Sequence, residues 1–230
     1  MNISRAIGFT LAVIFSVSVM AADKADKTVA KAAINPVTAH QVIEQTTVDV
    51  MRIITEAQTY FDKDPERFYR EIDVVLNKVV DFKSFSRGVM GKYASKKRYL
   101  SLSSAAEKEQ FKAQLDRFSG VFRDGLVQTY AKGLLAFNGN RIEVAPAEKG
   151  APTEGSVTVV QHIYAQSDKP YNVHYKMRRN KAGEWKLRNV TIEAINLGKV
   201  YQSQFYSAAK QYKGDIDKVI DNWTVDPDSK

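Results

Sequence analysis

Between residues 104 and 137 the large apolar side chains recur at helical spacing. Phe111, Leu115, Phe118, Phe122, Leu126 and Tyr130 stand three or four positions apart, which sets them on one stripe of a long α-helix. Ser104-Ala105-Ala106-Glu107 precedes them and has the form of a capping box, in which serine and glutamate satisfy each other's backbone amides. Asn138-Gly139 closes the run in a turn. So much aromatic surface needs a large partner face, and the chain downstream is expected to supply it as a sheet.

Two helices are predicted upstream. In residues 39–61, Ile43, Thr47, Val50, Ile54, Ala57 and Phe61 keep helical spacing. Asp64-Pro65-Glu66 then places an N-cap, a proline at the first helical position and an acid at the positive helix end. Phe68, Ile72, Val75, Leu76 and Val79 form the buried stripe of this second helix. Residues 81–93 crowd Phe82, Phe85, Val89, Met90 and Tyr93 among Ser84, Ser86, Gly88 and Gly91. Each glycine in such a short helix costs about 1 kcal/mol against alanine, a cost offset by close packing or by motion. A basic loop with Lys96, Lys97 and Arg98 leads into the long helix.

After residue 139 the period changes to two. Strands are predicted over 141–145, 156–165, 171–178 and 185–192, with turns at Ser167-Asp168-Lys169-Pro170 and Asn180-Lys181-Ala182-Gly183. In the last strand Trp185 and Leu187 share one phase while Val190 and Ile192 share the other, which predicts a bulge near Asn189. Ile195-Asn196-Leu197-Gly198 leaves the sheet for a helix carrying Val200, Tyr201, Phe205, Ala208 and Tyr212, and a short helix over 215–223 follows. The order predicts one α+β domain with a four-stranded antiparallel sheet. It spans residues 39–223, between a loose leader (22–38) and a tail (224–230).

Composition narrows the chemistry. The chain has 230 residues, 44% of them hydrophobic, and no cysteine, so disulfides, thiolate metal sites and cysteine nucleophiles are excluded. Arg5 followed by the apolar stretch 6–20 has the length of a signal-peptide core, with cleavage expected after Ala21 and an uncleaved membrane anchor as the other reading. The net charge of +8 lies almost wholly outside that segment. In an exported protein it suits acidic partners or lipid head groups, or else solubility alone.

The residues give little support to catalysis. His162 and His174 fall on neighbouring strands with no carboxylate partner, a poor zinc site. Ser84 and Ser86 lack a nucleophile-elbow motif, and no phosphate-cradling glycine loop is present. What remains are the apolar stripes, and periodicity does not distinguish a filled core from a cavity with the same lining.

Val79-Val80-Asp81-Phe82, Phe85-Ser86-Arg87 and Val89-Met90-Gly91-Lys92-Tyr93 together resemble the signature of the toluene-tolerance family, the periplasmic phospholipid-binding proteins of the Mla lipid-transport pathway. Thr129-Tyr130-Ala131, the run from Gly183 to Val190, Ile195-Asn196-Leu197-Gly198 and Gly214-Asp215-Ile216-Asp217 agree in order and spacing. The resemblance runs from about residue 39 to 223. It implies a curved sheet like that of nuclear transport factor 2, wrapped by helices, with acyl chains held between sheet and helices. It also implies a periplasmic carrier that exchanges phospholipid with an inner-membrane ABC transporter complex, through its MCE-domain ring, and with an outer-membrane lipoprotein–porin complex, maintaining outer-membrane lipid asymmetry. No cofactor and no nucleic acid enter this picture, and the phospholipid is cargo.

Burial is worth about 0.8 kcal/mol per methylene, so two membrane-length chains need roughly 20–25 kcal/mol of apolar shelter. On that reading the expected lining is Val159, Ile163, Tyr175, Met177, Val190 and Ile192 from the sheet. Val89, Met90, Phe122, Leu126, Tyr130 and Leu197 are expected from the facing helices. Lys92, Lys96, Lys97 and Arg98 are expected to meet acidic partner surfaces or the phosphate. Gly88 and Gly91 are candidates for a moving wall. Two other readings stay open: an isomerase or dehydratase on the same kind of sheet, using His162 or Tyr175, and an envelope adaptor with a solid core.

Overall fold

Side-chain caps decide where the helices begin. A computed structural model describes residues 37–135, 141–147, 154–164 and 169–225; the expected signal segment, most of the leader and tail, and the turns at Asn138-Gly139 and Ser167-Asp168 lie outside the described residues. Helix α1 (Ala39–Ala57) opens on a reciprocal box between Thr38 and Gln41. Asp64 caps α2 (Pro65–Val79) and Asp81 caps α3 (Phe82–Met90). A 3-10 turn (Gly91–Ala94) leads to α4 (Lys96–Ser101), capped by Ser95. Ser104 Oγ accepts from the Glu107 amide at 3.1 Å and the Glu107 carboxylate accepts from the Ser104 amide at 2.8 Å, the box expected ahead of α5 (Ala105–Leu135). Asn196 caps α6 (Leu197–Gln211) and Asp215 caps α7 (Ile216–Asp221). Each cap satisfies an amide that the first helical turn leaves unpaired.

Between α5 and α6 lies an antiparallel meander in the order β1-β2-β3-β4-β5 (Arg141–Val144, Ser156–Tyr164, Tyr171–Arg179, Trp185–Ile192 and Ile195–Asn196). It has one strand more than expected. After Ile192 the chain doubles back through Glu193, which has positive φ, and Ile195–Asn196 pairs with Ile192 and Thr191 before α6 begins. Two residues are too few to show an alternating pattern, so this stretch reads as a simple exit from the sheet.

Register places the sheet's apolar groups on one face. Val159 lies opposite Tyr175 and Tyr175 opposite Val190; Gln161 lies opposite Val173 and Val173 opposite Ile192. Lys176 pairs with Asn189 but Met177 pairs with Leu187, so Arg188 is an extra residue in β4. This is the bulge expected near Asn189. It restores Trp185 and Leu187 to the face that carries Val190 and Ile192. Arg188 pairs with Asp81 at 3.0 Å, and the Asp81 amide donates to the Leu187 carbonyl at 2.9 Å, so the start of α3 is tied to the bulge.

The main partner of α5 is not the sheet, which only the helix's end approaches at Leu134. Phe118 and Phe122 lie among Phe85, Val89 and Met90 of α3, Tyr201 and Phe205 of α6, and Trp223. Phe118 meets the Phe205 ring at 4.9 Å and the Trp223 ring at 5.1 Å, both edge-on. Further along α5, Val127 and Ala131 turn toward α1 and α2. The sheet has its own cluster, in which Val159, Met177, Trp185 and Leu187 meet Ala39 and Ile43 of α1 and Val79 of α2. Periodicity finds which face of a helix is buried but not what buries it, and the expectation of a sheet against α5 failed there.

Candidate functional site

Where α1, the end of α2 and the end of α5 lean over the sheet, they frame a partly open cavity of about 200 Å³. Ile43, Val50, Met51 and Ile54 of α1 line one wall, Leu76, Val79 and Leu134 another, and Ile142, Ile163, Tyr175 and Leu187 the sheet side. Thr46 and Thr47 are also in the lining, but each hydroxyl donates to its own helix, to the carbonyls of Val42 and Ile43 at 2.6 and 2.8 Å. Bonding back to the helix satisfies these hydroxyls locally.

One polar chain crosses this apolar space. The Tyr175 hydroxyl donates to Gln161 Oε1 at 2.8 Å, and Gln161 Nε2 donates to Thr47 Oγ1 at 2.7 Å. Gln161 is only 4% exposed. Burial pushes the Tyr175 phenol up from its ordinary value, so it stays protonated and able to donate. Among the described residues the Gln161–Thr47 bond is the side-chain hydrogen bond between α1 and the sheet.

The structure gathers only part of the expected lining here. Ile163 and Tyr175 border the cavity. Val159, Met177, Val190 and Ile192 lie on the same sheet face, as register requires, with Val159 and Met177 fully buried in the sheet's cluster. Val89, Met90, Phe122 and Leu126 are instead buried in the aromatic helical cluster, with Tyr130 and Leu197 packed against it. The Tyr130 and Tyr201 hydroxyls lie 2.7 Å apart there. The walls that α1 and α2 contribute were absent from the expected set, although the stripe of Ile43, Thr47, Val50 and Ile54 was visible. The missed signal was polar: Gln161 stands at an inward phase of β2, where a buried amide needs a partner across the gap.

The expected basic group lies elsewhere. Lys92 sits in the 3-10 turn over the rings of Tyr93 and Tyr206, at 5.1 and 5.7 Å, and Arg98 lies 5.8 Å from the Tyr93 ring. Lys96 borders a separate cleft of about 330 Å³, with Lys83, Arg87 and Lys112 around Tyr99 and Phe111. Lys97 is exposed on α4. None of the four cations lines the apolar cavity.

His162 cannot serve that cavity. Its strand neighbours Gln161 and Ile163 face inward, so alternation turns His162 to the other side of the sheet, where Nδ1 lies 2.7 Å from Asn172 Oδ1. Gly91 has φ +53° and lies against Tyr206 and Gln202 of α6, while the Gly88 carbonyl accepts from Gln202 at 2.8 Å; neither glycine borders the cavity.

Residues 44–225 match the family model described as MlaC protein. The chain is 31% identical over 186 residues to the toluene tolerance protein ttg2D of Pseudomonas putida, covering 81% of this chain and 80% of that protein. In fold it is similar to a phospholipid-binding protein from Ralstonia solanacearum solved in complex with a phospholipid. The TM-score is 0.64 at 18% identity, over 80% of this chain and 94% of the other.

Proposed function

This chain belongs to the MlaC family, and we propose that it is a phospholipid carrier whose cargo places its acyl chains between α1 and the sheet. The observation that carries this reading is the apolar cavity at that place, partly covered by a helix that one side-chain hydrogen bond joins to the strands. The phospholipid named for the Ralstonia solanacearum protein of the same fold supports the same class of cargo.

Size sets the mechanism. A cavity of about 150 Å³ holds a benzene-sized guest, and drug-sized ligands occupy about 300–1,000 Å³. A space of 200 Å³ is therefore too narrow for two acyl chains, and loading must widen it. The wall that moves is the layer of α1 and α2, because the sheet is pinned by its ladder and the aromatic cluster around Phe118 is filled. The bulged sheet is then a curved floor of the nuclear-transport-factor-2 kind. The remaining inward residues, Val159, Met177, Val190 and Ile192, become lining as the gap grows, and those of the helical cluster follow only if α5 also shifts.

On this reading the chain is exported to the periplasm and moves lipid between an inner-membrane ABC transporter complex and an outer-membrane lipoprotein–porin complex, supporting outer-membrane lipid asymmetry. Lys92, Lys96, Lys97 and Arg98, set apart from the cavity, serve partner docking better than phosphate contact. Binding and release suffice for this activity, with the phospholipid as the sole small molecule. Native mass spectrometry of the mature protein from a diderm envelope, with lipid extraction, tests it. A population shifted by one or more phospholipid masses is expected; a bare polypeptide that also takes up nothing from vesicles would overturn it.

A further inference from the structure

The polar chain in the cavity has two ends with unequal fates. If α1 leaves the sheet, the Thr47 hydroxyl keeps its bond to the Ile43 carbonyl on its own helix. Gln161 has no such reserve. Its Oε1 stays with the Tyr175 hydroxyl, both being on the sheet, but its Nε2 loses Thr47, the acceptor it has among the described residues. An amide donor left bare in an apolar space carries its full desolvation penalty. The arrangement therefore discriminates between guests: a pure hydrocarbon leaves the donor unpaired, whereas a guest with a carbonyl oxygen beside its chains restores the bond.

We propose that Gln161, held by Tyr175, is the specificity-determining residue for the cargo, donating through Nε2 to an acyl-ester carbonyl oxygen that takes the place of Thr47 Oγ1. The inference rests on the carrier reading and adds the part of the lipid that is recognised: the ester linkage, in addition to the chains. Tyr175 is a positioning residue, because its hydroxyl occupies Oε1 and so turns the NH₂ side of the amide toward α1. A glutamine also recognises a carbonyl without placing a charge in the cavity, where a lysine or arginine would be unsuitable.

The test is a competition between two phospholipids with the same head group and chain length, one diester and one diether, mixed equally in vesicles. The lipid taken up is extracted and weighed. The diether keeps the chains and lacks both carbonyls. The wild-type protein is expected to load the diester about two- to tenfold in preference, the range of one net hydrogen bond. Gln161→Leu is expected to bring the ratio near one in the lipid it takes up, and Thr47→Val, which removes the acceptor on α1 together with its bond back to the Ile43 carbonyl, to keep or raise the preference. Equal loading of the two lipids by the wild type would overturn the inference whatever the variants do, so it does not depend on Gln161→Leu folding. An unchanged preference in a folded Gln161→Leu would overturn it too. Uptake of neither lipid by the wild type is a different result, and it removes the carrier reading itself.

Discussion

A Cβ on Gly91 would stand 2.3 Å from the Tyr206 hydroxyl, and the backbone there is in a region that side chains resist. Three residues earlier, a Cβ on Gly88 meets nothing within 4 Å. The two glycines of the same motif therefore carry opposite sensitivities. Gly91→Ala is expected to destabilise by about 1–3 kcal/mol, and Gly88→Ala to stabilise by up to about 1 kcal/mol, read from urea midpoints. At Asp217 the carboxyl is held below its usual value, first by the hydrogen bond from Gln114 at 3.0 Å, then by Gln110 and Arg117. Because its folded value is depressed, its stabilisation is present above the unfolded value and is lost as pH falls through the folded one. Asp217→Asn is expected to lower Tm at neutral pH and to flatten the loss of Tm below about pH 4; a parallel acid limb in the two proteins would contradict this. At this scale composition and spacing went far. They showed the caps at Asp64 and Ser104 and the cost of a helical glycine at Gly88, but not that Gly91 ends α3 with positive φ, where glycine is the favoured residue. They did not show that Tyr206 fills the space beside one glycine and not the other, because that contact spans more than a hundred residues of chain.

The elements were legible to different depths. The phase shift between Leu187 and Val190 revealed a bulge, since a strand's side chains alternate and a change of phase must have a geometric cause. The two residues of β5 revealed nothing, being shorter than one alternation. Helix α5 was readable as a stripe, but its partner was misassigned. Phe118 and Phe122 meet α3, α6 and Trp223, and aromatic rings are equally suited to a sheet or to other helices. On the proposed reading the element that governs loading is α1, which Gln161 and Thr47 join to β2. Because the chain has no cysteine, Thr47→Cys with Gln161→Cys gives one addressable pair. Joining the pair with a short, reducible bifunctional reagent is expected to cut lipid loading at least tenfold, and reduction to restore it, with no change in far-ultraviolet circular dichroism. Equal loading in the joined and reduced forms would show that α1 does not move.

For the whole molecule, the apolar cavity lies apart from the cations of the 3-10 turn and α4, and on the proposed reading the first holds cargo and the second docks partners. Reversing charge at Lys96, Lys97 and Arg98 is expected to slow lipid transfer to an acidic acceptor complex by about tenfold at low ionic strength. Equilibrium loading from vesicles should stay as it was. The effect should fade toward 0.5 M salt, as screening shortens the reach of exposed charges. No sequence pattern separates the cavity from the core, because Ile43, Ile54 and Ile163 are residues of either. Whether acyl chains lie between α1 and the sheet is decided by isotope-filtered nuclear Overhauser spectra of methyl-labelled protein loaded with phospholipid. Contacts from the acyl chain to the methyls of Ile54, Leu134 and Ile163 are expected. Contacts confined to Leu115 and Leu126 in the aromatic helical cluster would contradict that placement.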